Sequence, residues 1–479
     1  MSPALPAAFP RIPSYPSATA LAAAVAALGA ELPVLDPFDP GPLRLPLPLG
    51  GLRAPNRLCV QPMEGWDAEP DGRPSEHTRR RWRRFGSSGA GLVWGGEAVA
   101  VRPDGRANPS QLCLRPETAG AIAGLLGELR AAHGEGDPVV GLQLTHSGRY
   151  SRPRRKDRPE PRIAYHHPLL DRRVGLGPED DAAVWTDGEL DGLLGDYASA
   201  AALAREAGFH FVDLKHCHGY LLHELLSAHT RPGRLGGDFA GRTCFLREAV
   251  AAISREAPGL GVAVRLSAFD VLPFRPGSDG TGEPEPWSGA YPFAFGASVL
   301  HPTEPDLEEP RRLLGLLRDL GVMACNVTGG SPYYNPHIQR PAQYPPSDGY
   351  QPPEDPVLGV ARHLRVTAEL RAAVPGLPLV GSGYSYLQEY LPHVAAAAVE
   401  RGWTDAVGLG RMILAYPEFV REALEGRLPD RRRLCRTFSD CTTGPRLGLR
   451  SGCYPLDPEY RATPEWRQIQ DWKRAAATR

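Results

Sequence analysis

A lysine and three histidines stand close together in the stretch VDLKHCHGYLLHELLSA, Val212 to Ala228: Lys215, His216, His218 and His223. An ammonium beside an imidazole can hold a carbonyl oxygen and stabilise the negative charge that grows on it. Tyr220, two residues beyond His218, adds an O–H that could give up a proton. A lysine can also form a Schiff base with a carbonyl substrate. The bland reading is a solvated turn before a helix. Which reading holds depends on the end of the element that carries these residues.

Short β-branched runs alternate with longer helical patterns along the chain, which favours a parallel sheet. Eight candidate strands can be counted, at 56–62, 91–98, 138–146, 209–217, 261–269, 322–330, 377–384 and 406–411. Helical spacing fills most gaps, as at 117–133, 187–207, 240–257, 306–320 and 387–401. Eight strand–helix units predict an α/β fold of the (β/α)8 TIM-barrel class, a single catalytic domain with long capping loops. A doubly wound open sheet competes, but no GxGxxG follows the first strand. Polar residues and glycines gather at the carboxyl ends of these runs. In a closed barrel those ends share one face, where active sites are built. On this reading the Lys215 cluster lies on the floor of a site.

The last two strands end in VGSGY and VGLGR. Glycine admits an anion close to backbone N–H groups, and the loops after strands seven and eight are the usual phosphate site of this barrel. Arg411 adds a forked charged donor. Gln143 and Arg265, at the ends of strands three and five, suit a ligand with a donor–acceptor edge and a developing negative charge. A flavin ring has both, so flavin mononucleotide (FMN) fits a phosphate site on one side and polar readers across the top.

The chain has 479 residues, 42% hydrophobic and 23% charged, which is ordinary globular composition. With 54 Lys+Arg against 55 Asp+Glu the formal charge is −1, so bulk charge points to no nucleic acid. No stretch of about 18 apolar residues is present, so no membrane span is expected. The eight cysteines form no CxxC, which argues against a disulfide scaffold or a plain zinc site. ATALAAAVAALGA near the start is expected to be a surface helix, not a targeting segment, and the protein to be cytoplasmic. Three parts are expected: an N-terminal extension with a short helix at 1–38, the barrel at 39–430, and a cysteine-containing tail packed on it at 431–479.

Several of these segments resemble the old yellow enzyme family of FMN-dependent NADH:flavin oxidoreductases. NRLCVQPM is similar to its opening strand, and GLVWGGEAVAVRPDGR to its second strand and loop. GLQLTHSGR, HGYLLHELLSAHTRPGRLGGDFAGR, VAVRLS and DAVGLGRMILAYPEF are similar to later motifs, in order. The resemblance runs from about Gly41 to Glu425. It implies FMN contacts from Pro62, Met63, Ala98, Gln143, Arg265, Gly383, Tyr384, Gly410 and Arg411. It also implies hydride transfer from NADH or NADPH through FMN to an electron-poor alkene or carbonyl compound. Some members instead oxidise amines, including N-methyl substrates. A scaffold that binds flavin without turnover is a further alternative, as is a flavin-free Schiff-base lyase using Lys215.

By the same resemblance Lys215 and His218 would hold the substrate oxygen, with Tyr220 as proton donor. The family often has His where this chain has Lys215. His216 should then face the other side of the strand, and His223 should belong to the following helix. Glu64 is a second departure, where relatives often carry Thr or Cys. We expect Glu64 to couple electrostatically to Lys215 across the pocket, each offsetting the other's desolvation. Two long inserts, Asp270–Pro310 and Ser331–Pro356, should cap the pocket. Their aromatic residues are expected either to line the cavity or to pack together. Cys441 and Cys453 keep the last cysteine spacing of larger, cluster-bearing relatives and Cys435 matches the first. Phe438 replaces the second cysteine, so a 4Fe-4S cluster is not expected. The partner implied is a small-molecule substrate, and the oligomeric state, a homo-oligomer included, is left open.

Overall fold

The protein is described by a computed structural model covering residues 9–134 and 136–477. The first eight residues of the expected N-terminal extension lie outside the described residues. The barrel strands are Leu58–Val60, Leu92–Val93 with its continuation Ala98–Ala100, Val139–Thr145, Phe211–His216, Gly261–Ser267, Cys325–Thr328, Leu379–Gly381 and Ala406–Leu409. All neighbouring pairs are parallel, and the last strand returns to the first with Val407 opposite Leu58, which closes the barrel. Seven expected runs contain their strands, and the second, 91–98, contains Leu92–Val93 but ends before the continuation does, at Ala100. The second is split at Trp94–Glu97, where Gly95 and Gly96 take positive φ.

Helices lie between the strands as the spacing demanded. Asp187–Glu206 starts on a capping box, with Thr186 Oγ1 accepting from the Glu189 N–H and the Glu189 carboxylate accepting from the Thr186 N–H. Glu76–Ser87 is not among the helices named from the sequence, because EHTRRRWRRFGS carries few apolar residues. It buries Trp82, Phe85 and the guanidinium of Arg81. A hairpin of Leu47–Leu49 and Leu52–Ala54 packs on the amino ends of the strands, among Cys59, Val139, Phe211 and Met323. The opposite, carboxyl end is left for the site.

The helix Ala18–Ala27 is present, and buries Ala18, Leu21 and Val25 while its other face is exposed. Within the first insert Trp287, Tyr291 and Phe293 pack on one another and on Leu169 and Leu272. The tail contributes the helices Asp440–Arg446, Pro458–Arg461 and Pro464–Ala477. Arg80 pairs in a fork with Asp457 at 2.8 and 2.9 Å, and Ser347 N–H donates to Thr443, so the tail is tied both to the barrel and to the second insert. Among the described residues no helix is long and apolar enough to cross a membrane.

Arg149, in the turn after the third strand, is fully buried between Asp171 and Glu224. Glu224 sits in the helix Leu221–Leu226 that follows the Lys215 strand and also accepts from the Ala164 N–H. Removing one partner of such a network strands a charge in the interior. Arg149→Met is therefore expected to cost about 3–5 kcal/mol, measured as a lower urea midpoint. Arg154→Met, whose exposed side chain pairs with Glu160, should leave that midpoint unchanged.

Candidate active site

A cavity of about 250 Å3 opens at the carboxyl end of the barrel. Eleven of the thirteen residues expected in the site line it: Pro62, Met63, Glu64, Gln143, Lys215, His218, Tyr220, Arg265, Gly383, Gly410 and Arg411. Ala98 and Tyr384 do not. Ala98 pairs with Gln143 behind the cavity wall, and its carbonyl is already taken by the Gln111 amide at 3.0 Å. Gly383 adopts φ +97°, and the turn carries Tyr384 back into the core, its hydroxyl against Gly381.

Lys215 is almost fully buried, and its ammonium pairs with Glu64 Oε1. The same ammonium lies 3.7 Å from the centroid of the Tyr220 ring. Glu64 Oε2 accepts from the Tyr220 hydroxyl at 2.8 Å and from Trp66 Nε1 at 2.9 Å. Tyr333 of the second insert stands 3.0 Å from the Tyr220 hydroxyl and stacks on Tyr150. Burial and the Glu64 charge push the Tyr220 hydroxyl well above its ordinary pKa, so it remains a proton-bearing donor.

The Glu64 loop is set from below. Gly65 N–H donates to Glu97 Oε2, and Arg81 links Glu97 to Asp67. A Cβ at Gly65 would lie 1.9 Å from Arg81 Nη2, so the backbone can approach this network only as glycine. Burial raises the Glu97 carboxyl to about 7.

His218 has φ +67° and is held by Ser267, which accepts from its N–H, and by Ser331, which donates to its carbonyl. Burial, then Arg265 and Lys215, push its imidazole well below the ordinary value, so it is neutral. His216 faces away from the cavity, with Nδ1 on the Leu214 carbonyl. His223 lies in the following helix, where its Nδ1 accepts from the Gly219 N–H.

Across the cavity, Gln143 Nε2 donates to the buried carboxylate of Asp213 at 2.5 Å, which leaves the amide oxygen as an acceptor. Asp213 also accepts from the Arg265 N–H, and Arg265 Nη1 donates to the Pro62 carbonyl. Gln61 and Asn326 exchange amide hydrogen bonds at 3.1 and 2.7 Å beneath the cavity, with Ser382 beside them.

At the strand seven–eight side, Arg411 donates to the Pro341 carbonyl, while its buried Nη1 has no hydrogen-bond partner among the described residues. Burial and Arg340 push the Arg411 guanidinium down to about 10. Arg340 donates to Thr442 Oγ1 of the tail. Neither arginine is in a salt bridge among the described residues. Two such cations beside a glycine turn with φ +97° need an anion with several oxygens, and a phosphate monoester fits. Gln143, Arg265 and these arginines therefore suit FMN.

Asp213, Gln61, Trp66, Arg340 and Arg446 belong to the site but are not among the residues assigned to it from the sequence, whereas Tyr333 is one of the insert aromatics expected to line the cavity or to pack together, and it lines the cavity and stacks on Tyr150. Asp213, two residues before Lys215 on the same strand, was the one that period-two alternation could have found. Cys441 lines the cavity and Cys453 a smaller one behind it. Among the described residues no group of three or more His, Cys, Asp or Glu is placed to hold a metal ion.

Residues 42–283, just over half of the chain, match the model of the NADH:flavin oxidoreductase / NADH oxidase family. A protein described as a metal reductase, from Desulforamulus reducens, is 26% identical over 424 residues, which are 88% of this chain and 52% of that protein. The chain spans about half the length of the first curated relatives it matches. Among solved structures, an old yellow enzyme homologue from Zymomonas mobilis superposes with a TM-score of 0.55 at 21% identity, over 81% of this chain and 94% of that one. Histamine dehydrogenase from Rhizobium sp. 4-9 gives 0.63 at 19%, over 88% and 53%. At such identities the structural likenesses speak to the fold, a closed (β/α)8 barrel in both comparisons. With the matched segment carrying Glu64, Gln143, Lys215, His218 and Arg265, the chain belongs to the NADH:flavin oxidoreductase / NADH oxidase family.

Proposed function

We propose that the protein is an FMN-dependent oxidoreductase that takes a hydride from NADH or NADPH and passes it to an electron-poor alkene or carbonyl compound. The observation that carries this reading is the pair of half-buried arginines, Arg340 and Arg411, with no acidic partner among the described residues, beside the Gly383 turn. Bound there, FMN would supply two-electron hydride chemistry. The chain's own part is to bind and orient. The Gln143 oxygen accepts from the pyrimidine edge, Arg265 balances negative charge beside it, and Arg340 with Arg411 anchors the phosphate. On the substrate side, Lys215 and the neutral His218 donate to the carbonyl oxygen. Tyr220 holds the proton to be delivered, and Tyr333 can replenish it.

The same geometry weighs against amine oxidation. An ammonium is received by a carboxylate and aromatic faces. Here Glu64 and Tyr220 already hold one, the protein's own Lys215. A carbonyl oxygen gains from that ammonium, whereas a cationic amine would be repelled by it.

An anaerobic spectrum of the FMN-loaded protein separates the readings. NADH or NADPH should bleach the flavin band, a simple enone should restore it, and alkyl or N-methyl amines should leave it unchanged. Bleaching by an amine alone would overturn the assignment, and no bleaching by any donor would favour a flavin-binding scaffold. Glu64→Gln removes the one carboxylate that lines the cavity among the described residues. It should raise the FMN midpoint potential by on the order of 30 mV, about 1.4 kcal/mol for a two-electron couple. An unchanged potential would mean that Glu64 and the flavin are not coupled.

A further inference from the structure

Among the described residues five basic side chains line the cavity, Lys215, Arg265, Arg340, Arg411 and Arg446, against one carboxylate, Glu64. Four of them have a role in flavin-dependent reduction. Lys215 pairs with Glu64, Arg340 and Arg411 take a phosphate, and Arg265 faces the pyrimidine edge. Arg446 is left over. It comes from the tail helix Asp440–Arg446, outside the segment that matches the family. Its guanidinium carbon lies 4.9 Å from the centroid of the Tyr333 ring, whose other neighbours are Tyr150 and the Tyr220 hydroxyl. Its one ionic partner among the described residues is Asp348, 3.0 Å from Nη1, a half-exposed residue of the second insert that does not line the cavity. Its Nε is buried and makes no hydrogen bond there. A buried guanidinium donor without an acceptor is costly, and a planar anion at the cavity wall would satisfy it.

Resting on the assignment of this cavity to flavin-dependent reduction, we propose that Arg446 is a specificity residue. With Tyr333 it forms a subsite for a carboxylate on the substrate, whose carbonyl is held by Lys215 and His218. The anion is a compact one. Beyond Tyr333 a second cavity of about 290 Å3 carries Arg172, Arg173 and Arg275. Those three are already paired, the first two with Glu285 and the third with Glu283. Each of the three thus already has an acidic partner inside the protein, with which a long polyanionic tail would have to compete. The substrate class is an electron-poor alkene or ketone that bears a free carboxylate.

The test compares para-acetylbenzoate, with a carbonyl at one end and a carboxylate at the other, and its methyl ester. Isothermal titration calorimetry on the FMN-incubated full chain measures binding of each. The wild type should prefer the acid. Arg446→Gln should weaken the acid by on the order of 10- to 100-fold and leave the ester unchanged, the range of a charge-assisted hydrogen bond. Asp348→Asn breaks the same tail-to-insert salt bridge but keeps the guanidinium, so it should retain or strengthen acid binding. No preference of the wild type for the acid would overturn the proposal. So would equal losses of acid and ester in Arg446→Gln, or an Asp348→Asn protein that behaves like Arg446→Gln. Bleaching of the flavin by NADPH reports separately on the reading beneath it, since calorimetry needs no coloured protein.

Discussion

The constraint that organises this molecule is a surplus of positive charge at the carboxyl end of its barrel. Among the described residues five cations face one carboxylate in a cavity partly shut off from water. Desolvated charges of one sign repel and cost free energy, so such an arrangement survives only if something anionic completes it. The contrast within the same chain is instructive. Arg149, buried more deeply, is balanced by Asp171 and Glu224, and Arg81 by Asp67 and Glu97. Those arginines are structural, whereas Arg340 and Arg411 have neutral partners, Thr442 and Pro341.

The compensated networks serve the uncompensated ones. Arg81 and Glu97 fix the backbone at Gly65, which sets Glu64 against Lys215. Arg149 and Glu224 tie the helix after the Lys215 strand to the turn after the third strand. Asp213 turns the Gln143 amide so that its oxygen is free. Each functional group is thus oriented by a buried carboxylate whose own charge is satisfied from the protein. The cation–π contact of Lys215 with Tyr220 and the ion pair with Glu64 then keep an ammonium in a space where most of its water is gone.

Much of this was legible in the sequence because barrel strands announce themselves. Gln143, Lys215 and Arg265 stand near the ends of short apolar runs, and closure of the barrel brings those ends together. Ala98 and Tyr384 lie outside the cavity lining because the second strand is interrupted at Gly95–Gly96 and the Gly383 turn reverses the chain, which are effects of backbone dihedrals that composition does not reveal. Tyr333 and Arg446 belong to an irregular insert and a tail helix. Their approach depends on contacts between segments far apart in sequence, such as Arg446 with Asp348, and periodicity carries no trace of these. The helix Glu76–Ser87 escaped for a related reason, since its buried face includes a charged residue, Arg81.

The charge account is tested most directly by comparing FMN with riboflavin, which differ by the phosphate alone. Dissociation constants would be measured by quenching of flavin fluorescence for the wild type, Arg340→Met and Arg411→Met. The wild type should favour FMN, and each substitution should erase on the order of 10- to 100-fold of that preference while riboflavin binding holds steady. Equal affinities for the two flavins in the wild type, or a preference untouched by both substitutions, would contradict it.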